Sequence, residues 1–207
     1  MSFVRAVALI AAVLLSACSK DGLDQPPTPL GDFRLGLNVV VGETARQIPP
    51  TRGATAEEWE AALKTEIDRR FGRYRGSGEY HLGVSVDAYA LAIPGVPVVV
   101  KPRSILVVSA TVWDNSTRQK LNGQVKQLTV LESTGFLTPD SIIGSGLMRS
   151  KAEQMQSLSY NAARAIEAWL KQNEDWFSPD PAVRAAARAA TANTSGKERP
   201  RTERPGD

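Results

Sequence analysis

The chain has 207 residues, with 25 Lys and Arg against 22 Asp and Glu, one histidine and one cysteine. A single cysteine excludes an internal disulfide, and one Cys with one His cannot supply the several ligands of a zinc site. Residues 18–177 contain equal numbers of basic and acidic side chains, so they lack the cation excess of a nucleic-acid-binding surface. We therefore expect no nucleic-acid partner, no metal and no cofactor.

Residues 1–17 have the pattern of a cleavable export signal. Arg5 precedes an apolar run at 7–15, which is short for a bilayer span but has the length of a signal core. The run ends in Leu15-Ser16-Ala17-Cys18, which resembles the lipobox of bacterial lipoproteins. This resemblance implies cleavage between Ala17 and Cys18 and attachment of lipid to the thiol of Cys18. The alternative is an ordinary signal peptide with a cysteine at its cleavage site.

The lipid would be the membrane contact of the mature chain. Acyl chains contribute about 0.8 kcal/mol per buried methylene, which gives stable anchoring. No later apolar run approaches the roughly 20 residues of a transmembrane helix. Because Ser19 rather than Asp follows the cysteine, the lipoprotein sorting rule implies the periplasmic face of the outer membrane. Residues 18–31 are polar and contain prolines, as expected of a linker.

The first half of the predicted domain, 32–177, contains a strand, a helix and a second strand. Residues 33–41 alternate between apolar and other side chains, and residues 80–88 do the same. Between them, Thr55-Ala-Glu-Glu58 is a capping box that opens a helix. The helix has one apolar stripe, formed by Trp59, Leu63, Ile67 and Phe71.

The second half adds a hairpin and a closing helix. Residues 105–108 are apolar on both faces, which predicts a central strand, and 120–132 return beside it. A second capping box at Ser150–Glu153 opens a helix to about residue 173, followed by buried Trp176 and Phe177. The order β-α-β-β-β-α predicts an α+β fold: a mostly antiparallel four-stranded sheet with two amphipathic helices on one face. Residues 178–207 are predicted to form a short Ala/Arg helix and a disordered basic tail.

This architecture resembles the β-α-β-β-α domains of envelope proteins, such as the auxiliary lipoproteins of ABC-type transporters and the N-terminal domain of TolB. The resemblance rests on the helix at 55–71, the hairpin at 105–132 and the helix at 150–173, without a diagnostic motif. It implies a role in the assembly or transport of envelope components, and fold alone assigns no activity.

The sequence offers one candidate for catalysis. His81 lies on the polar face of a predicted strand, and a Ser-His-Asp site would have to use it as the base. No Gly-x-Ser-x-Gly elbow or phosphate-binding loop accompanies it. We interpret His81 as a surface histidine and expect that the protein is not an enzyme.

Two segments are candidates for binding. The apolar segment 93–102 contains Val96, Val98, Val99 and Val100 among prolines. It could form an exposed lip that contacts a partner or the membrane, or fold over the sheet as core.

The second candidate is a group of cations at the end of the first helix. Its members are Arg69, Arg70, Arg73 and Arg75. They suit the negative end of the helix dipole and could meet anionic lipid headgroups, or they could simply be solvated.

These observations leave two functions open. The first is a non-catalytic, membrane-anchored envelope lipoprotein that binds a protein partner through its sheet face or the 93–102 segment. The second is a carrier or sensor that holds an apolar ligand, such as a lipid, between the sheet and the helices. The sequence does not specify an oligomeric state.

Overall fold

The computed structural model of the chain describes residues 23–93, 104–132 and 149–197, and it describes side chains up to residue 191. In these ranges six strands form one sheet. The strands are β1 (Phe33–Val41), β2 (Arg46–Gln47), β3 (Gly78–Ala90), β4 (Ile105–Asp114), β5 (Gln119–Lys120) and β6 (Lys126–Leu131). The helices are α1 (Ala56–Phe71), α2 (Lys151–Gln172) and α3 (Pro181–Lys197), with a 3-10 turn at Glu174–Phe177.

The sheet confirms the predicted α+β class. Its order runs from β1 and β2 through β3 and β4 to β5 and β6. The short strands β2 and β5 add to the four long strands that the sequence predicts. The pairs that involve β4 are antiparallel, whereas β1 and β2 pair with β3 in parallel. The predicted central strand, β4, indeed lies between β3 and β6.

Both long helices begin at the predicted capping boxes. The Thr55 hydroxyl accepts from the Glu58 amide at 3.2 Å, and the Glu58 carboxylate accepts from the Thr55 amide at 2.9 Å. Ser150 and Glu153 make the same exchange at the start of α2. These bonds satisfy amide donors that have no partner within a first helical turn.

Large apolar side chains fill the layer between the sheet and the two long helices. The predicted stripe of α1 is fully buried there, as are the apolar positions of α2. Phe33 occupies the centre of an aromatic cluster, with ring centroids 5.1–6.0 Å from those of Phe71, Tyr74, Tyr80 and Phe177.

A third helix packs beside the 3-10 turn mainly through polar contacts. Asp180 caps α3 by accepting from the Ala182 amide at 2.8 Å. Arg188 forms an ion pair with the buried carboxylate of Asp114 at the end of β4. The hydrogen bond from the Trp176 indole to Thr191 adds a second contact. Because α3 has few large apolar side chains, these polar groups hold it in place.

Candidate functional site on the open sheet face

A bulge in β1 reverses the direction of its side chains. Leu35 pairs with Tyr80 and Asn38 with Leu82, so β1 has one more residue than β3 across this interval. Side chains alternate between the faces of a sheet, and one extra residue therefore moves every later side chain to the opposite face. Phe33 and Leu35 point towards the helices, and after the bulge Asn38 and Val40 occupy that inner face.

The bulge leaves a row of apolar side chains on the outer face of the sheet. Leu37 is 62 % exposed, Val39 51 % and Val41 41 %. A strand with the regular alternation of residues 33–41 and no inserted residue would place these three side chains on the same face as Phe33. The predicted strand is present, but the bulge directs this part of it to the other face.

Gly36 and His81 shape the bulge together. The Nδ1 atom of His81 accepts from the amide of Leu37 at 2.9 Å, which gives the displaced backbone a partner. A Cβ atom on Gly36 would lie 2.5 Å from that same ring nitrogen. The glycine therefore allows the imidazole to approach the strand closely.

The same imidazole also belongs to a polar network along the end of the sheet. Its Nε2 atom lies 3.1 Å from Oδ1 of Asn115, and Asn115 donates to Glu79 at 3.0 Å. Glu79 also forms an ion pair with Arg34 at 2.9 Å. Because Nδ1 accepts a backbone hydrogen bond, the network assigns the ring proton to Nε2. Both ring nitrogens of the sole histidine are thus engaged with protein groups.

Small side chains form the floor of the outer face beside the apolar row. Val39 pairs with Gly83, which pairs with Thr111, and Val41 pairs with Ser85, which pairs with Ser109. A Cβ atom on Gly83 would lie 2.8 Å from the Thr111 hydroxyl. The apolar row therefore borders a shallow, uncharged strip across the middle of the sheet.

One carboxylate lies at the end of this strip. Asp87 occupies a second irregularity, between Val86 and Ala88 of β3. Its carboxylate accepts from Ser109 at 2.6 Å, from Gln127 at 2.9 Å and from Ser85 at 3.2 Å. These donors are neutral and fix the position of the carboxylate without neutralising its charge.

The predicted arginine group is divided between several roles. Arg70 is buried and forms an ion pair with Glu167 of α2 at 2.8 Å, and its guanidinium lies 5.1 Å from the centre of the Tyr160 ring. Tyr74 donates to the other oxygen of Glu167 at 2.8 Å. Burial and this hydrogen bond raise the pKa of the Tyr74 hydroxyl far above its usual range, so it remains a donor. This cluster connects α1 to α2.

The other three arginines lie nearer the surface. Arg73 donates to backbone carbonyls of the N-terminal segment. Arg75 donates to the carbonyls of Gly72 and Tyr74, and Arg69 lies 3.7 Å from Glu66. The structure therefore brings the four residues to one end of α1 but does not present them as a single cationic surface.

Several predicted site residues lie outside the described residues. They are Ala17, Cys18, Val96, Val98, Val99 and Val100. Within the described ranges, no group of three His, Cys, Asp or Glu side chains is arranged to hold a metal ion. The helices of those ranges include none with the length and apolar character needed to cross a bilayer.

An apolar groove lies on the helical side of the domain. Its volume is about 360 Å³, and it runs between α1 and α2, past Ala62, Thr65, Ala152 and Met155. It is separate from the layer between the sheet and the helices, where the sequence had placed the alternative apolar ligand. In the described residues that layer is occupied by core side chains such as Trp59 and Phe33.

Comparisons with known proteins identify distant structural neighbours only. No protein-family description matches the sequence, and no curated protein matches it. Among solved structures, a candidate lipoprotein from Caulobacter crescentus is 15 % identical over 67 % of this chain and 95 % of its own, with a TM-score of 0.38. A Xanthomonas campestris protein assigned to the DUF330 family is 13 % identical over 72 % and 92 %, with a TM-score of 0.40.

A third neighbour is the minor lipoprotein of Acinetobacter baumannii. It is 15 % identical over 63 % of this chain and 92 % of its own, with a TM-score of 0.27. Two of these three proteins thus carry the description lipoprotein. All three TM-scores are below 0.5, so these likenesses assign no function to the chain.

The sequence does contain a signal for the bulge, in the form of Gly36. An isolated glycine within an alternating strand marks a bulge or a close approach of another group. The position of His81 opposite it requires the register of β1 on β3, which the sequence pattern alone does not provide.

Proposed function

We propose that this chain is a non-catalytic lipoprotein of the cell envelope that binds a partner protein on the open face of its sheet. The observation that carries the proposal is the bulge in β1, which places Leu37, Val39 and Val41 on the outer face. These three side chains contribute little to the core, since the inner face receives Asn38 and Val40 instead. Clustered apolar groups on a surface are typical of interaction sites.

The shape and charge of the face favour a protein segment as the occupant. The uncharged strip beside the apolar row suits close contact with apolar side chains. Asp87 provides a fixed negative charge at the end of the strip. This charge favours a partner segment that carries a Lys or Arg close to the apolar residues with which it contacts the row. Among the described strands β1 lies at the edge of the sheet, and this edge is where an extended segment could add as a further strand.

The tether is the second part of the proposal. The lipobox at Leu15–Cys18 supports lipid attachment at Cys18, and Ser19 supports transfer to the outer membrane. The engagement of both nitrogens of His81 supports a role without catalysis, because the imidazole holds the backbone of β1 in place.

Site-specific photocrosslinking in cells tests the partner site. A photoreactive amino acid at position 39 should give one discrete adduct with a protein. The substitution Leu37→Glu on the same row should abolish that adduct, because a carboxylate there would need to be desolvated in the complex. Asp87→Lys should weaken it as well, by opposing the cation of the partner.

The matched control is Val125, which is also 51 % exposed but lies in the loop before β6. The photoreactive amino acid at 125 should not give the adduct, and Val125→Glu should leave the adduct from 39 intact. Equal adducts from both positions, or an adduct from 39 that survives Leu37→Glu, would contradict the proposed site.

Lipid attachment is tested separately by Cys18→Ser. The variant should leave the membrane fraction and lose the mass of the acyl chains. Unchanged fractionation and mass would contradict the tether and leave the result for the sheet face unaffected.

A further inference from the structure

The N-terminal segment is bonded to the domain from Leu23 onwards. One terminal nitrogen of Arg73 donates to the carbonyl of Leu23 and to that of Gln25, both at 2.8 Å. Leu30 is 1 % exposed within the core, and the Asp32 amide donates to the Phe177 carbonyl at 2.7 Å. Much of the 18–31 range, which by composition resembles a free linker, therefore lies against the domain.

The position of Arg73 is itself fixed by the protein. Its Nε atom donates to the Arg70 carbonyl at 3.2 Å, and its guanidinium lies 3.9 Å from the buried Glu167 carboxylate. The side chain is 22 % exposed. The planar guanidinium thus uses its several donors to join the end of α1 and the N-terminal segment.

These contacts locate the entry of the chain at one end of the domain. Glu58 pairs with Lys151 near the first residues of α1 and α2, whereas Arg70 pairs with Glu167 towards their last turns. The two helices are therefore parallel. The N-terminal segment reaches the domain where both helices end.

We infer that Arg73 acts as a clamp that fixes the orientation of the domain on the lipid surface, with the C-terminal ends of α1 and α2 facing the membrane. The inference rests on the proposed lipid at Cys18. Only residues 18–22 then lie between the lipid and the clamped Leu23, and they span at most roughly 17 Å. This reach is shorter than the roughly 24 Å length of the 16 residues of α1.

The clamp also limits where the partner of the sheet face is located. β1 begins at the membrane-facing end with Phe33, and Leu37 to Val41 lie roughly 13–27 Å further along the strand. Leu37 is therefore the member of the apolar row nearest the membrane, and Val41 is the farthest from it. A partner anchored in the same membrane could therefore reach the row.

The experiment compares two fluorophores on the full lipidated chain, bound to phosphatidylcholine vesicles that carry a nitroxide quencher on their headgroups. Because the native cysteine carries the lipid, an added cysteine labels at one position. Gln172→Cys reports from the exposed end of α2, and Gly53→Cys reports from the opposite end, where a side chain meets no atom within 4 Å. We expect quenching at 172 to be several-fold stronger than at 53.

Two arginine variants distinguish the hydrogen bonds of the clamp from the positive charge at this end of α1. Arg73→Gln should bring the quenching at the two positions close together, because the segment from 23 to 25 is released. Arg75→Gln removes the same charge from the same end of α1, but Arg75 bonds only to Gly72 and Tyr74 in the described structure. It should leave the contrast between the positions unchanged.

An insertion provides a test that does not depend on how well Arg73→Gln folds. About ten flexible residues placed before Leu23 lengthen the reach by up to roughly 35 Å and should reduce quenching at 172 in the otherwise wild-type chain. Equal quenching at 172 and 53 in the wild type would overturn the inference, as would an unchanged contrast in both the folded Arg73→Gln variant and the insertion. Failure of the lipid proposal is distinguishable, because the chain would then not float with the vesicles.

Discussion

The same strands form both faces of the sheet, but the two long helices cover only the inner face. On the inner face, Val84 of β3 and Val108 of β4 are fully buried beneath α1 and α2. On the outer face, Val39 and Val41 of β1 remain about half exposed beside Ser85 and Thr111. Apolar side chains therefore serve the core on one face and remain available for contact on the other.

One inserted residue in β1 creates much of this difference. Without it, Leu37, Val39 and Val41 would continue the inner stripe that Phe33 and Leu35 begin. With it, the inner face receives Asn38, which donates to the Lys64 carbonyl and the Asp68 carboxylate of α1. At the edge of the sheet the chain thus places Asn38 and Val40 on the inner face in place of three apolar side chains, and it gains an apolar outer row.

The largest expected effect comes from the inner face. Phe33→Ala removes a fully buried ring that contacts four other aromatic rings, and we expect it to lower the free energy of unfolding by about 3–5 kcal/mol. Chemical denaturation of the purified domain measures this loss. The outer-face control is Val39→Ala, which should change the free energy by no more than about 0.5 kcal/mol. Similar losses for both variants would contradict the difference between the faces.

The second prediction concerns the buried connection between the two helices that cover the inner face. Arg70→Met leaves the Glu167 carboxylate without its main cation, and breaking a buried pair in this way costs about 3 kcal/mol. We expect a loss of free energy of unfolding at the lower end of the roughly 3–5 kcal/mol seen for broken buried pairs, because Tyr74 still donates to Glu167. The double variant with Glu167→Met should recover part of the loss, as measured by denaturation. A double variant less stable than Arg70→Met would show that the carboxylate was not the source of the cost.

The inner face could be predicted from the sequence because its signals are local and periodic. Both capping boxes and the stripe from Trp59 to Phe71 depend only on spacing within one helix. The alternation of 80–88 and the apolar run at 105–108 likewise predict strands and their relative burial. These patterns are sufficient for the fold class.

The outer face could not be predicted in the same way, because its contacts depend on pairing between distant segments. The hydrogen bond from Leu37 to His81 joins residues 44 positions apart, and the sequence gives no direct sign of it. The ion pair of Arg70 with Glu167 spans 97 positions, so the pattern of the first helix alone cannot show that Arg70 is buried. Register and pairing across the sheet and between helices decide both cases.

A smaller effect is expected where α3 packs against the end of β4. Burial alone would raise the pKa of Asp114, but hydrogen bonds from Ser116 and Thr117 together with Arg188 outweigh it and lower the pKa. A carboxyl group whose pKa is lowered on folding stabilises the fold above its unfolded pKa of about 3.9 and loses that contribution as the pH falls through the folded value. Asp114→Asn should therefore cost about 1–2 kcal/mol at neutral pH.

The same variant should also flatten the pH dependence. The stability of the wild type should begin to fall towards that of Asp114→Asn at about pH 4 and should reach it only below the lowered pKa of folded Asp114, where both proteins carry a neutral group at this position. Denaturation at neutral pH and at low pH measures the difference. A constant gap between the two proteins at all pH values would show that the charge of Asp114 does not hold α3.

The smallest effect on stability, and the most specific to the outer face, is expected from His81→Ala. The variant removes the acceptor of the Leu37 amide in a half-exposed position, where water can replace it, so the loss should be about 0.5–1.5 kcal/mol. Crosslinking of the partner from position 39 should fall much more, because the bulge that directs Leu37, Val39 and Val41 outwards loses its support. Asn115→Ala is the matched control, since it removes the neighbour of Nε2 and leaves the bond to β1 in place. Crosslinking that persists in His81→Ala would show that the bulge forms without the imidazole, and the apolar row would then depend on the register of β1 alone.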